Sequence, residues 1–445
     1  MWDEPDFDQE EDNSKDKKRW VEETDDEWND HDEDEHDDDG ESDGEAHIYP
    51  GDYEQSEAFI TEDPEIRGDY DSALVSTEWL HDNLDKVIPI DGSWVMPFSN
   101  RDLRDEWLQC HIQLIHAKLR PTSVTPFTSL SNAMYHYDFH HPWHGPTCNL
   151  SAAQHARFLD IERLRFKHQI LPHLLPTTRQ FGEAMHKMGI DRDSHIVIYD
   201  NSYLFSACRV YWMFKAFGHR NVSILNGGMP KWRAEGRPVF SGLADLETLP
   251  KAKAHYECQR YVSLIRTHSQ IVENIQLLDH SLKGGEPVDG VEYVLDARTE
   301  DRFRGLVPEP RPGLPGGSIM HSLNTPYEDL IHRDPATDAI TLRPRDELRA
   351  YFKAKGIDLT KPLVTSCGSG VTAAVVYVAL RELGAPKVAL YDGSWFDYAT
   401  QIISPMDRDV HEHVFEPPTN PLPENAFELP PGLGPRRPRT KDGRS

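Results

Sequence analysis

The sequence lacks the features of a membrane or secreted protein. No stretch approaches the roughly 18 consecutive apolar residues that a membrane-spanning helix needs, and the N-terminus has no basic segment followed by an apolar one. The five cysteines are odd in number and form no Cys-x-x-Cys pair, which indicates a reducing compartment. We therefore expect a soluble cytoplasmic protein that makes no membrane contact. Organelle presequences contain few acidic residues, so a mitochondrial location would require a start further downstream.

The chain also lacks a basic region of the kind that binds nucleic acid. Its net charge is −29, but residues 1–70 hold 31 of the 76 acidic residues and only 5 of the 47 Lys and Arg residues, so the remainder is nearly neutral. We predict no direct contact with nucleic acid. Residues 1–70 contain too few apolar residues to order themselves and are predicted to be a disordered acidic tail, with a tail that binds a basic partner as the alternative. Residues 406–445 are rich in proline and are predicted to be an extended tail.

Two long segments between these tails share one pattern. Residues 194–232 and 361–398 each run from an apolar strand through a turn, an apolar helix, a glycine and a second strand to an Asn-Gly or Asp-Gly turn. Strands that are apolar along their whole length suit a parallel sheet that is covered on both faces. We therefore predict an α/β fold with two tandem domains, each a mainly parallel sheet flanked by helices. The predicted domains are residues 72–240 and 255–405.

The first half of the repeat is longer than the second. An earlier strand ends in an aspartate in both halves, at Asp91 and Asp296. Counted from there to the matching turn residues Asn226 and Asp392, the first half has 39 additional residues. The segment 113–151 is about that long and is predicted to be an insertion.

The predicted insertion contains a cluster of histidines and one cysteine. Their spacing fits no zinc pattern, so we interpret the segment as a loop and expect neither a metal nor a cofactor. Metal binding remains the alternative for this cluster, which consists of His136, His140, His141, His144 and Cys148.

One cysteine stands in a glycine-rich turn between a predicted strand and a predicted helix. The stretch "VTSCGSGVTAAVV", residues 364–376, places Cys367 at the C-terminal end of a parallel strand, where α/β folds bind ligands. Gly368 and Gly370 allow the backbone to aim its N–H groups inward, and the helix adds its positive end, so both features favour a thiolate. We predict that Cys367 is a nucleophile, with a small buried hydrophobic residue as the alternative.

The first repeat has no such loop. Cys367 stands 25 positions before Asp392, and the residue 25 positions before Asn226 is Asn201. No glycine stands near Asn201. We therefore predict that the first domain is a non-catalytic scaffold. Cys208 falls within a predicted helix and is interpreted as a packing residue. The loop of the second repeat has no arginine six positions after its cysteine, which excludes the Cys-x5-Arg chemistry of phosphoester hydrolysis.

Two α/β repeats with a cysteine loop in the second resemble the tandem-domain rhodanese family over about residues 72–405. The hexapeptide "CGSGVT", residues 367–372, is similar to the members that use 3-mercaptopyruvate, whereas thiosulfate-using members usually carry charged residues after the cysteine. The resemblance implies a sulfurtransferase in which Cys367 takes sulfur from 3-mercaptopyruvate as a persulfide and releases pyruvate. It also implies that four further residues of this loop bind the substrate: Gly368, Gly370, Val371 and Thr372.

The resemblance also implies partners. The sulfur would pass from the persulfide to a thiol acceptor, such as a small reducing thiol or a thioredoxin-like protein. Two alternatives remain open at this point. One is thiosulfate as the donor, and the other is a sulfur-relay component that hands its persulfide to a protein partner, for example in tRNA thiolation.

The resemblance assigns two arginines to the substrate. The stretch "DARTEDRFRGLVPEPR", residues 296–311, fits the family, which implies that Arg302 and Arg311 hold the carboxylate and keto group. The chemistry agrees, because a guanidinium fork is the best side-chain match to a carboxylate. Arg304 receives no role.

The resemblance further implies a proton relay from both domains. Ser369 would act with a histidine and an acidic residue of the first domain, which correspond to His173 and Glu162. Glu162 stands where the family usually has an aspartate, so the carboxylate is kept on a longer side chain. An exposed histidine beside Pro172 is the alternative for His173.

Overall fold

The computed structural model describes residues 59–60, 72–96, 99, 101–112, 156–201, 203–241, 252, 256–284, 290–401 and 404–407. Apart from the short strands at 59–60 and 406–407, both predicted tails lie outside the described residues, and so do the predicted insertion 113–151 and its histidine cluster. No helix in the described ranges is long and apolar enough to cross a membrane.

Short strands and helices alternate along the first half of the chain. Its strands are β1 (Phe59–Ile60), β2 (Leu74–Val75), β3 (Val87–Asp91), β4 (His111–Ile112), β5 (Arg157–Phe158), β6 (His195–Tyr199), β7 (Val222–Leu225) and β8 (Val239–Phe240). Its helices are α1 (Thr77–Asp82), α2 (Leu103–Gln109), α3 (Thr178–Lys187), α4 (Phe205–Ala216) and α5 (Gly228–Ala234). A capping box of Thr177 and Gln180 starts α3 by satisfying two backbone N–H groups.

The second half repeats this alternation. Its strands are β9 (Arg260–Tyr261), β10 (Ile265–Arg266), β11 (Tyr293–Asp296), β12 (Ser318–Ile319), β13 (Leu323–Asn324), β14 (Ile331–Arg333), β15 (Ile340–Leu342), β16 (Leu363–Ser366), β17 (Val388–Tyr391) and β18 (Met406–Asp407). Its α-helices are α6 (His268–Leu282), α7 (Glu300–Phe303), α8 (Arg345–Ala354), α9 (Ala373–Glu382) and α10 (Ser394–Thr400), with 3-10 turns at Val262–Leu264 and Tyr327–Leu330.

Each half is built on a five-stranded parallel sheet. The strand order is β2-β7-β6-β3-β5 in the first half and β10-β17-β16-β11-β13 in the second, with every pair parallel. The two orders match strand for strand, so the repeat and the α/β class predicted from the sequence are confirmed. The predicted domain boundaries, 72–240 and 255–405, remain predictions.

The sheet register locates the additional residues of the first half. Asp91, at the end of β3, pairs with Phe158, 67 positions further along the chain. The matching Asp296, at the end of β11, pairs with Asn324, only 28 positions further along. The difference accounts for the 39 additional residues, which therefore lie between β3 and β5.

A helix from each half forms the contact between them. All twelve residues of α4 are buried, and so is every residue of α9 except Arg381. The two helices pack against each other, and one cluster of buried apolar side chains runs through both halves. This contact explains why both helices are apolar nearly all round, since each is covered by its own sheet on one side and by its partner helix on the other.

Candidate active site

The cysteine predicted to be a nucleophile lies at the carboxyl edge of the second sheet. Cys367 directly follows β16, and its side chain is buried with 2% exposed. Its backbone N–H donates to the hydroxyl of Ser394 (3.2 Å), and its carbonyl accepts from the N–H of Trp395 (2.9 Å). Both contacts come from the start of α10, so the turn after β17 fixes the backbone of the cysteine.

The loop after Cys367 presents a row of free backbone donors. Within the described part of the chain, the N–H groups of residues 368–372 donate to no other protein group. They precede α9, whose N-terminal end carries partial positive charge. Successive free N–H groups at a helix N-terminus form an anion-binding concavity, so the geometry supports a thiolate at its centre.

The two glycines of the loop have different roles. Gly370 has φ +78°, a left-handed conformation that favours glycine. Gly368 is outside that region, so its backbone conformation alone does not require glycine. A side chain at Gly368 would place its Cβ 3.1 Å from a terminal nitrogen of Arg302, which means that glycine allows this arginine to approach the loop.

The predicted substrate arginine Arg302 belongs to a chain of ion pairs. Its Nε and one terminal nitrogen donate to Glu309 (3.2 and 2.5 Å). Glu309 also accepts from the buried Arg298 (2.8 Å), which in turn pairs with Asp296 (2.7 Å) at the end of β11. Each charge is opposed by a neighbour of opposite sign, so the guanidinium of Arg302 is held in one orientation beside the cysteine loop.

The predicted relay residues of the first half lie next to the second predicted arginine. His173 Nε2 is 3.4 Å from a terminal nitrogen of Arg311, and His173 Nδ1 is 3.3 Å from Glu162 Oε1 without the alignment of a hydrogen bond. The indole of Trp94 packs edge-on against the imidazole (4.8 Å between ring centres) and donates to the same Glu162 oxygen (2.8 Å). His173 is 2% exposed, so its interpretation as a surface histidine was wrong.

The surroundings of His173 favour its neutral form. Burial lowers the pKa of His173 well below its usual range, and the nearby cations Arg311, Arg209 and Arg165 lower it further. Burial also lowers the pKa of Arg311, although the guanidinium remains charged. The imidazole therefore lies beside Arg311 in its neutral form at neutral pH, with one ring nitrogen able to accept a proton.

The remaining predicted residues lie within or beside the cysteine loop. Ser369 and Val371 are nearly buried, and Thr372 precedes the first residue of α9 without a side-chain cap bond. Among the described residues, no hydrogen bond joins Ser369 to His173, so the proton relay through Ser369 stays a prediction. Arg304 is largely exposed beside Glu300 (3.7 Å), in agreement with its lack of a predicted role.

The residue that matches Cys367 in the first half is Asp200, not Asn201 as counted from the sequence. Asp200 directly follows β6, and its carbonyl accepts from the N–H of Met229 (2.9 Å), as that of Cys367 does from Trp395. The count failed because the connection from β6 to β7 is one residue longer than the matching one. Cys208 is buried in α4, as expected for a packing residue.

Three functional features were missed at the level of sequence. They are the edge-on contact of Trp94 with His173, the bridging carboxylate Glu309, and an arginine of α4, Arg209, that reaches both halves. Trp94 comes three residues after the end of β3, at the edge where α/β folds place their sites, which was the available signal for it. Nothing in the pattern around Arg209 distinguishes it from a helix residue facing solvent.

A buried cysteine followed by free backbone donors, with two arginines and a neutral histidine nearby, is typical of an enzyme that transfers a group through a cysteine. Residues 155–235 and 276–401 match the rhodanese-like domain family. The mitochondrial thiosulfate/3-mercaptopyruvate sulfurtransferase 1 of Arabidopsis thaliana is 32% identical, over 75% of this chain and 78% of that protein. The thiosulfate sulfurtransferase of Bos taurus is 34% identical, over 73% of this chain and 91% of that protein.

A solved structure agrees with these relatives. The "Rhodanese"-fold crystal structure of SseA from Escherichia coli, a 3-mercaptopyruvate sulfotransferase, is similar with a TM-score of 0.53 at 30% identity, over 73% of this chain and 99% of that chain. The chain therefore belongs to the rhodanese family of sulfurtransferases. The resemblance, the fold of two tandem rhodanese-like domains and the transferase class inferred from the sequence are confirmed.

Proposed function

We propose that this enzyme takes sulfur from 3-mercaptopyruvate. The observation that supports the proposal is the row of five backbone N–H groups after Cys367 that have no protein acceptor among the described residues, with Arg302 close to Gly368 and Arg311 close to His173. The cysteine stabilised there is the nucleophile, and two guanidinium groups at one edge match a substrate with a carboxylate and a keto oxygen. Residues 255–405 form the domain that carries the nucleophile, and residues 72–240 form a domain without a nucleophile, whose contribution is limited to proton transfer.

The reaction balances without a cofactor. The Cys367 thiolate attacks the sulfur of the donor, so a sulfur–sulfur bond forms and the carbon–sulfur bond breaks. The electron pair of that bond moves into the enolate of pyruvate, which needs one proton at its terminal carbon. The thiol proton of the donor supplies it, and the products are a Cys367 persulfide and pyruvate.

Proton transfer is the task that we assign to the first half. The neutral imidazole of His173 accepts the thiol proton and, with the hydroxyl of Ser369, delivers it to the enolate carbon. Glu162 lies 3.3 Å from the other ring nitrogen and stabilises the transient imidazolium. Arg302 and Arg311 neutralise the substrate carboxylate and the developing enolate.

Thiosulfate is the second candidate donor. The Bos taurus relative carries that substrate in its name. Thiosulfate is a dianion, however, and the residues that directly follow Cys367, Gly368 and Ser369, bring no positive charge to it. We therefore place 3-mercaptopyruvate first.

The acceptor that we propose is a thiol, either a small reducing thiol or the cysteine of a thioredoxin-like protein. Delivery to a protein in tRNA thiolation is the alternative, and turnover with small thiols alone separates the two. For the compartment we propose the cytoplasm. The mitochondrion is the alternative, because the name of the Arabidopsis thaliana relative places that protein there.

Intact mass measurement tests the proposal directly. The full chain is incubated with 3-mercaptopyruvate, with thiosulfate, or with neither, and its mass is recorded before and after a reducing thiol is added. We expect 3-mercaptopyruvate to add one sulfur atom that the thiol removes, and Cys367→Ser to gain none. A chain that gains no sulfur from 3-mercaptopyruvate, or that gains it equally in Cys367→Ser, contradicts the proposal.

A further inference from the structure

A buried arginine of the first half reaches both loops of the site without facing the substrate. Arg209 lies on α4 with none of its side chain exposed, and its guanidinium packs over Trp212 (4.5 Å to the ring centre). It donates to three oxygens: the carbonyl of His173, the carbonyl of Gly370 (3.3 Å) and the carboxylate of Asp392 (2.6 Å). One guanidinium thus joins the histidine segment of the first half to the cysteine loop of the second.

The two carbonyls that it binds belong to residues in an unusual conformation. His173 has φ +60° and Gly370 has φ +78°. A non-glycine residue in this left-handed region costs about 1–3 kcal/mol and persists only where its surroundings hold it. At Gly370 a side chain would place its Cβ 2.6 Å from the carbonyl oxygen of Asp392 and 3.0 Å from Arg209, so the loop is packed directly onto this pair.

The partner carboxylate extends the same link. One oxygen of Asp392 accepts from Arg209, and the other accepts from the N–H of Leu175 (2.8 Å), two residues after His173. Asp392 belongs to the turn that leads into α10, whose first residue, Ser394, accepts from the N–H of Cys367. One buried ion pair therefore holds the backbone of the histidine segment and the Gly370 carbonyl of the cysteine loop.

We propose that Arg209, paired with Asp392, is a positioning residue that sets the imidazole of His173 against the Cys367 loop. It acts through backbone carbonyls and does not touch the substrate. The inference rests on the proposed function, because it assumes that His173 moves a proton during sulfur transfer. It differs from a purely stabilising ion pair in one respect: Arg209 and His173 would act as a unit, so their contributions to the rate would not be independent.

A double-mutant cycle separates the two roles. We expect His173→Ala to lower kcat by about 10²–10⁴-fold, as loss of general acid–base help does, and Arg209→Gln to lower it by about 10²-fold. The double variant should be no slower than the slower single variant. Losses that multiply would mean that Arg209 only stabilises the fold, and they would overturn the proposal.

The chain offers a matched control for the loss of a contact between the halves. Asn226 is the first-half counterpart of Asp392, and its side-chain oxygen accepts from the N–H of Leu342 in the second half (3.0 Å). Asn226→Ala removes that contact away from the site, so kcat should be unchanged. Should Arg209→Gln fail to fold, Arg209→Lys keeps the charge opposite Asp392 but loses the planar fork, and it enters the same cycle with the same expectation.

Hydrogen exchange gives a readout that needs no sulfur donor. In the full-length protein without substrate, Arg209→Gln should speed exchange in a peptide that spans residues 171–177 by at least about 10-fold, and Asn226→Ala should not. Unchanged exchange there overturns the proposal. Wild-type sulfur uptake is measured in parallel. If it is absent, the proposed function fails, and the exchange result alone decides whether Arg209 holds the histidine segment.

Discussion

The two halves of the molecule place different groups in the same concavity. In the first half the carboxylate of Asp200 accepts from the N–H groups of Leu204 (3.2 Å) and Ala207 (3.1 Å) and from the hydroxyl of Ser206 (2.9 Å). In the second half the matching backbone donors face no protein acceptor among the described residues, and a cysteine stands where the aspartate was. The fold thus provides an anion site twice. Only the half that leaves the donors free can stabilise a thiolate or a substrate.

The aspartates at the ends of β3 and β11 differ in the same way. Asp296 is bound by the backbone N–H and the guanidinium of Arg298, whereas Asp91 is bound by the N–H of Ser93 at the same relative position. Arg298 connects Asp296 through Glu309 to Arg302. The first half has Ser93 in place of this arginine, and no cation among the described residues pairs with the buried Asp91.

The turns after β7 and β17 differ at one matching position. Gly228 and Ser394 hold matching positions, and both have φ +53°. At Gly228 a Cβ would lie 2.4 Å from the carbonyl oxygen of Asp200. Ser394 accepts this strained conformation and uses its hydroxyl to bind the N–H of Cys367 and the carbonyl of Tyr391 (2.8 Å). The strained residue therefore holds the backbone of Cys367, the predicted nucleophile, through its hydroxyl.

The largest loss of activity is expected from replacing Cys367, the residue that most distinguishes the second half from the first. We expect Cys367→Ser to reduce pyruvate formation below detection with an unchanged melting temperature, because no other group in the concavity can hold the sulfur covalently. Cys110→Ser makes the same exchange at a half-buried cysteine of the first half and should keep full activity. Steady-state assays of both variants check this. Wild-type turnover in Cys367→Ser would contradict the assignment of Cys367 as the nucleophile.

The histidine is the only catalytic group that we assign to the first half besides Glu162, so its loss tests whether that half is a scaffold alone. His173→Ala should lower kcat by about 10²–10⁴-fold with little change in KM, and Glu162→Gln should cost less. Because the pKa of His173 is held well below its usual range, kcat/KM should show no fall near pH 6.5 that depends on His173. His195→Ala, in β6, is the matched control. Equal rates in the two alanine variants would make the first half passive.

The sequence could predict what depends on local pattern. Apolar strands, the glycine-rich turn and the position of Cys367 follow from neighbouring residues, and the resemblance is what singled out Arg302, Arg311 and His173, whose roles stay predictions. What failed depends on distant contacts or on loop length. The single additional residue after β6 moved the expected counterpart of the cysteine from Asp200 to Asn201. The pairing of Arg209 with Asp392 joins residues 183 positions apart, which no periodicity reveals.

The next largest effect is expected for the two arginines that we propose bind the substrate, compared with an arginine of the first half. Arg302→Ala and Arg311→Ala should each raise KM for 3-mercaptopyruvate by about 10- to 150-fold, since a hydrogen bond to a charged group contributes about 1.5–3 kcal/mol. Arg101 of the first half pairs with Glu106 much as Arg302 pairs with Glu309, and Arg101→Ala should leave KM unchanged. Initial-rate measurements over a range of donor concentrations decide it. An equal rise of KM in all three variants would mean that the arginines act through stability.

The smallest effect on catalysis is expected at the sheet ends, where Asp91 should show itself in the pH dependence of stability. Burial raises the pKa of Asp91 from 3.8 to about 7, so the folded protein binds this proton more tightly than the unfolded chain does. The stability that Asp91 contributes is therefore fully present below about pH 4 and is lost as the pH rises through 7.

Asp91→Asn should remove this dependence. Measured by urea unfolding, the variant should gain about 1–4 kcal/mol on the wild type between pH 5 and pH 8, because each unit of pKa difference corresponds to 1.36 kcal/mol. Asp296→Asn should instead lose about 3–5 kcal/mol at pH 8, since it leaves the buried Arg298 without one of its two carboxylates. A gain for Asp91→Asn that is the same at both pH values would show that Asp91 is charged in the folded protein. The two halves would then differ in the loop that carries Cys367 in one and Asp200 in the other, but not in the charge of the aspartates at their sheet ends.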